Sequence, residues 1–257
     1  MDGWIDSIRT LVALAITLLL VLLRAEAETF GAAEYDEPTR EGGFASFSRR
    51  VSWFVVGLGL IVALMLAHPN AAGDLGIGLG DRLEAILLGF GFGVVGTLQA
   101  VGYAYYRYGL IRLPPGWTYP GAVLNAVGTA FIDEVTFRGA ILGFLLLAGV
   151  DPALAILAQA FTYTLATRTG APGRGAYMFV LTLVGGLVAG WATVATGAVG
   201  AAFLAHVVTR IAVFVATGHA GRPAPRGKEI EESWEYRRPP RGWRSIDAPD
   251  DRGPAGG

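Results

Sequence analysis

Five side chains in the second half of the chain have the types and spacing to do chemistry together: Asp133, Glu134, Arg138, His206 and Arg210. All lie in long apolar runs. An ionisable group within a membrane-spanning helix costs about 2.5–3.5 kcal/mol to insert, so each is a functional candidate and needs a partner. In Phe131-Ile132-Asp133-Glu134-Val135-Thr136-Phe137-Arg138-Gly139, Glu134 and Arg138 stand four apart, on one helical face and within pairing reach. Asp133 points about 100° away from Glu134 and is left for another partner. His206 and Arg210 repeat the four-residue relation. A carboxylate here can take a proton from water, and an imidazole or guanidinium can donate to an oxyanion. The same charges also fit an arrangement with no reaction. Asp133 and Glu134 would then be balanced by Arg138 and Arg210 in one neutral buried network, with Arg210 against Asp133.

The elements that must position these groups are transmembrane helices. The chain has 257 residues, is 53% apolar with 37 glycines, and carries only 16% charged residues, a composition of membrane-embedded helices rather than of a soluble domain. A crossing takes about twenty mostly apolar residues. Such runs stand at Trp4–Leu23 and near 51–67, 83–106, 120–149, 152–167, 177–196 and 198–217. The expected fold is therefore all-α, a polytopic transmembrane helical bundle of about seven spans. It divides into a first span over 1–24, a cytoplasmic loop over 25–50, two spans with their loops over 51–119, a membrane domain over 120–217 that carries the candidate site, and a polar tail over 218–257. The 120–149 run is too long for one upright helix and holds charges in its middle, so it must tilt, bend or break. The run Thr10–Leu23 before Ala25-Glu26-Ala27 could be taken for a secretory signal, but Asp2 and Asp6 precede Arg9 and Arg24 interrupts the cleavage region, which favours a retained span.

Arginine position sets the expected orientation. Arg40, Arg49 and Arg50, then Arg107 and Arg112, then Arg168 and Arg174, and finally Arg222, Arg226 and Lys228 fall in every second connection. Basic loops stay in the cytoplasm, which places the N-terminus outside and the C-terminus inside. The tail cannot bury enough apolar surface to fold alone. Its Trp234, Tyr236, Arg237, Arg238, Arg241, Trp243 and Arg244 could instead lie on an anionic bilayer surface. The net charge of −1 gives no reason to expect a nucleic-acid partner. With no cysteine, thiolate metal sites and thiol nucleophiles are excluded. His68, His206 and His219 are the only imidazoles, and His68 and His219 read as interfacial. The cofactor is left unknown: zinc on His206, Asp133 and Glu134 is chemically conceivable, but one imidazole and no HExxH helix make it weak. Gly89-x-x-x-Gly93 and Gly186-x-x-x-Gly190 read as helix-packing sites. The run from Gly91 to Gly96 matches a dinucleotide fingerprint by letters only, since no strand precedes it.

The run Asp133-Glu134-Val135-Thr136-Phe137-Arg138-Gly139 resembles the EExxxR motif, followed by glycine, of the CPBP intramembrane proteases. That family includes CAAX prenyl endopeptidases and bacteriocin-processing or self-immunity proteins. Gly185-Gly186-Leu187-Val188-Ala189-Gly190, Thr196-Gly197 and Ala205-His206 resemble the approach to its HxxxN motif, so the likeness covers roughly 120–217. The resemblance implies an intramembrane endopeptidase of a prokaryotic plasma membrane, acting on a peptide or membrane-anchored, CAAX-type protein within the lipid bilayer. It puts Asp133 at the position of the water-activating acid, with Glu134 and Arg138 as the acid and arginine that follow. It puts His206 at the last motif's histidine, which steadies the oxyanion. Two positions depart from the pattern. Tyr163-Thr164-Leu165-Ala166-Thr167 stands where FxxxH is expected, so Thr167 replaces a histidine, and Arg210 replaces the final asparagine. Asp133 is also one methylene shorter than glutamate. These departures open a second expectation, a catalytically silent member acting as a membrane scaffold or partner-binding protein. A small proton-coupled transporter is a third, weakened by the lack of an internal repeat.

Overall fold

The computed structural model describes residues 2–30, 32, 43–108, 113, 119–169 and 176–217. Helix α1 spans Asp2–Ala25, α2 Gly43–Ala67, the single turn α3 Ala71–Asp74 and α4 Arg82–Tyr108. Helix α5, Tyr119–Glu134, runs through a π-helical segment, Val135–Ile141, into α6, Leu142–Leu147. Then come α7 Pro152–Thr169, α8 Ala176–Thr196 and α9 Gly200–Thr217. No strand occurs among the described residues, so the all-α expectation holds. Each of the seven apolar runs is helical, and four stretches are long and apolar enough to cross a membrane: Trp4–Ala25, Ser48–Ala67, Arg82–Tyr105 and Phe179–Thr196. Helix α2 starts at Gly43, so the last part of the connection expected over 25–50 is helix, and α7 continues past 167 to Thr169. The tail, His219 and several of the loop arginines, Arg40, Arg112 and Arg174 among them, lie outside the described residues.

The helix ends follow from local chemistry. Asp151 accepts hydrogen bonds from the backbone N–H groups of Ala153 at 2.9 Å and Leu154 at 3.3 Å, with Pro152 in the first turn, an N-terminal signal read directly from the sequence. Asp81 starts α4 in the same way, accepting from Glu84 N–H at 3.0 Å. Gly149 and Gly197 follow α6 and α8 with φ of 77° and 76°, the left-handed step that closes a helix and that glycine adopts without strain.

Packing depends on glycine, because apolar side chains gain nothing by leaving lipid for one another and close backbone approach must supply the attraction. A Cβ on Gly89 would stand 2.9 Å from the Leu204 side chain, and one on Gly93 2.9 Å from Val208, so these two glycines seat α4 against α9. Gly186 meets Ala160 at 3.0 Å and Gly190 meets Ile156 at 3.1 Å, which does the same for α7 and α8. Both glycine pairs read from the sequence are therefore packing sites, and the Gly91–Gly96 letters are part of an α4 face. These contacts also fix direction. Gly89 with Leu204 and Gly93 with Val208 make α4 and α9 parallel. Phe131 with Phe203 and Tyr119 with Phe214 make α5 and α9 antiparallel.

The largest core cluster joins α1, α2 and α5 through Leu20, Leu23, Trp53, Leu64 and Ile132. Trp53 Nε1 donates to the Leu23 carbonyl at 2.9 Å, tying the end of α1 to α2. At the other end of this pair Arg9 Nε donates to the Ala67 carbonyl at 3.0 Å, covering an orphan carbonyl at the end of α2. His68 directly follows α2 and is buried: its Nδ1 accepts from Asn70 N–H at 3.2 Å and its ring lies edge-on to Phe144. Residues 75–81 then cross to the α8–α9 turn, where Val199 N–H donates to the Gly76 carbonyl at 3.0 Å and Asp81 N–H to the Thr196 carbonyl at 3.0 Å.

Candidate active site

The long run over 120–149 does break its regular winding, and it does so within the candidate motif. Glu134 ends the α-helical part and Arg138 sits inside the π segment. Such segments occur mostly at functional sites, because one extra residue in a turn rotates everything beyond it by about one residue's angle, roughly 100°. Thr136 Oγ1 donates back to the Ile132 carbonyl at 2.6 Å at the start of this widened turn. Gly139 then faces the crossing segment: a Cβ there would lie 3.3 Å from both the Leu75 carbonyl and the Ile77 side chain. A larger residue would push that segment off the site.

Glu134 is the hub. Its Oε1 is 2.7 Å from His206 Nδ1 on α9, and its Oε2 is 3.3 Å from Arg138 Nε. A carboxylate only accepts, so Nδ1 carries the proton in this contact and Nε2 is the ring nitrogen left to face other groups. The Arg138 guanidinium lies over the Tyr163 ring at 4.2 Å, a cation–π contact worth about 2 kcal/mol or more when desolvated. Tyr163 is also edge-on to Phe137 at 5.1 Å and to His206 at 6.4 Å. Its ring therefore sits between the motif helix and α9.

Asp133 is 0% exposed. Its close partner comes from the first helix: Arg24 Nε is 3.0 Å from Asp133 Oδ1. This contact and the Arg138–Glu134 contact are at ion-pair distance, yet in neither is the N–H aligned well enough for a hydrogen bond. We take charge rather than directed bonding to hold both, with His206–Glu134 as the directed bond. Both oxygens of Asp133 thus keep acceptor capacity. His206, with its side chain 16% exposed, is the most accessible member of the group.

The structure brings Asp133, Glu134, Arg138 and His206 into one buried cluster, with Arg210 buried one turn beyond His206 on α9. Because α9 runs antiparallel to α5, the Arg210 backbone lies toward the N-terminal half of α5 relative to His206. The neutral fourfold network drawn from the sequence is incomplete, since Arg24 brings a third guanidinium to it. Thr167 is buried one turn beyond Tyr163, and its Oγ1 has no hydrogen-bond partner among the described residues. Two members escaped the sequence reading. Arg24 was passed over as a flank of the first span, although it is an ionisable residue at the end of an apolar run. Tyr163 carried a signal of its own, an aromatic residue at the first position of the second motif.

Around the two carboxylates a metal ion would meet positive charge, since guanidinium groups stand beside both and Glu134 also holds the imidazole. Glu134 Oε1 holds His206, Oε2 faces Arg138, and Asp133 faces Arg24. No group of three or more His, Cys, Asp or Glu side chains among the described residues is arranged to hold one. The zinc arrangement considered from the sequence does not fit these residues.

Compared with known families, residues 115–212 match the one described as Rce1-like, type II CAAX prenyl endopeptidase. This segment is a CPBP-family domain. No curated protein and no solved structure matches the chain. The CPBP domain takes in α5, the π segment and α6 through α8, and most of α9, so it includes every candidate residue except Arg24.

Proposed function

We propose that the chain is an intramembrane endopeptidase that cleaves peptide or CAAX-type, membrane-anchored protein substrates with water activated by a carboxylate. The Glu134–His206 contact at 2.7 Å is the observation that carries this reading, because it joins two motifs of the family domain across 72 residues in the geometry of an oriented catalytic histidine. Asp133 takes the proton as water attacks the scissile carbonyl and the C–O bond forms. His206, held through Nδ1 by Glu134, presents Nε2–H to the developing oxyanion when the ring is protonated, with Arg210 assisting from the next turn. The C–N bond then breaks, and the proton held by Asp133 passes to the leaving amine. Arg138 fixes Glu134 from its far side.

A specific observation favours the second reading, a silent scaffold: Thr167 stands where the family motif has histidine, and it is buried with no hydrogen-bond partner for its hydroxyl among the described residues. The two readings separate in one comparison of purified protein in liposomes. A panel of prenylated C-terminal peptides, leader peptides and membrane-anchored segments is offered to the parent and to the double variant Thr167→His with Arg210→Asn. An active parent supports the peptidase. An inert parent with an active double variant supports a silent descendant of the protease fold.

The same proposal includes seven crossings with the N-terminus outside, in a prokaryotic plasma membrane. Arginine in alternate connections supports it, as do the helix directions, since α4 and α9 are parallel and α5 opposes α9. The chain has no native cysteine, so single cysteines can be labelled cleanly with an impermeant thiol reagent on intact cells. Ala72→Cys, at an exposed position between α2 and α4, is expected to label and Ser245→Cys is not. Labelling of Ser245→Cys from outside would reverse the orientation.

A further inference from the structure

We infer that Arg24, on a helix outside the family domain, is the positioning residue for Asp133, so that α1 is part of the catalytic unit; this rests on the peptidase reading above. Asp133 is fully enclosed and one methylene shorter than the glutamate of the family motif. Its carboxylate therefore reaches less far, and its orientation matters more, because a displacement of about 1 Å can cost roughly a hundredfold in rate. Arg24 supplies that orientation. Its Nε lies 3.0 Å from Oδ1, so a fixed positive charge stands beside one oxygen of the buried carboxylate.

Arg24 is itself held in place from both sides. The carbonyl of the preceding residue, Leu23, accepts from Trp53 Nε1 at 2.9 Å. On the same helix end Leu20, Leu23 and Ala27 are buried in the α1–α2–α5 cluster, and Val21 packs against the Phe137–Tyr163 cluster. The guanidinium thus reaches Asp133 on a helix end with little freedom. This arrangement is more than charge balance needs. Arg138 serves Glu134 from the next turn of the same chain segment, whereas the Asp133 partner is brought from a distant helix and fastened by a buried indole bond. Lysine offers a point charge without the planar fork, so it would keep the charge and lose the approach through Nε.

The test uses the full chain in liposomes with the best substrate of the panel. Arg24→Lys, Arg24→Gln and Trp53→Phe are each compared with the parent, with thermal unfolding recorded on the same samples. Trp53→Phe keeps an aromatic ring in the core and removes the bond to the Leu23 carbonyl together with part of the indole volume, so with unfolding recorded on the same sample it reports on the same device if an Arg24 variant fails to fold. For folded protein we expect kcat to fall about 10- to 100-fold in Arg24→Lys and further in Arg24→Gln, with KM within about threefold of the parent. Trp53→Phe is expected to fall in between. A folded Arg24→Gln with parental kcat, or a rise in KM at unchanged kcat, would overturn the positioning role and leave the peptidase reading standing. A parent with no hydrolysis of any substrate would overturn the reading beneath and this role with it.

Discussion

Replacing Glu134 with alanine is expected to lower the stability of the membrane domain by about 3–5 kcal/mol, the largest loss from a single change in the cluster. The carboxylate is buried and serves two partners, Arg138 at 3.3 Å and His206 at 2.7 Å. Its removal leaves a buried guanidinium with only the Tyr163 ring beneath it and leaves the His206 Nδ1–H without its acceptor. Glu134→Gln keeps the volume and one oxygen toward His206, so its loss should be smaller. Combining Glu134→Ala with Arg138→Met should recover part of the alanine loss, because the uncompensated charge goes with the arginine. Denaturant or thermal unfolding in a mild detergent gives these differences. A loss under about 1 kcal/mol for Glu134→Ala would mean that the two pairs are screened by water and that the cluster is not the dry site described here.

Changing His206 separates chemistry from stability. His206 accepts no structural burden comparable to that of Glu134, since its side chain is partly exposed and its one bond to Glu134 is its main polar tie. His206→Ala should therefore cost only about 1–3 kcal/mol of stability. Turnover should fall by roughly two to three orders of magnitude, the usual cost of removing one oxyanion donor. The effect should appear in kcat more than in KM, because Nε2 acts on the developing oxyanion rather than on the bound substrate. A variant with normal turnover would remove His206 from the chemistry and assign it a packing role beside Tyr163.

Much of the helical framework was readable from the sequence because the bilayer constrains it so strongly. The apolar runs are helical, four of them long and apolar enough to cross a membrane, and the glycine pairs on α4 and α8 seat neighbouring helices as their spacing implies. The Glu134–Arg138 pair was equally legible, since four-residue spacing brings two side chains together on any helix. Long-range partners were not. Nothing in the spacing of Arg24 connects it to Asp133; the link depends on how α1 packs against α2 and α5, through Trp53, Leu20 and Ile132. The π segment was legible only as a strain, in the charges and excess length of the 120–149 run. The burial of His68 was not legible for a similar reason, since it depends on the approach of Phe144 from α6. The role of Tyr163 depends likewise on packing, since only the approach of α7 to the motif helix brings its ring under the Arg138 guanidinium.

The most direct measurement is cleavage by the purified chain in liposomes, with products identified by mass spectrometry and the parent compared with Asp133→Asn. Asparagine keeps the shape beside Arg24 while removing the carboxylate that takes the proton, so the variant can be checked for folding on the same sample. We expect the parent to hydrolyse at least one membrane-anchored or prenylated peptide at a single bond, and the folded Asp133→Asn protein to lose that activity by at least about a hundredfold. A parent that cleaves nothing, or an Asp133→Asn variant that cleaves as well as the parent, would contradict the account.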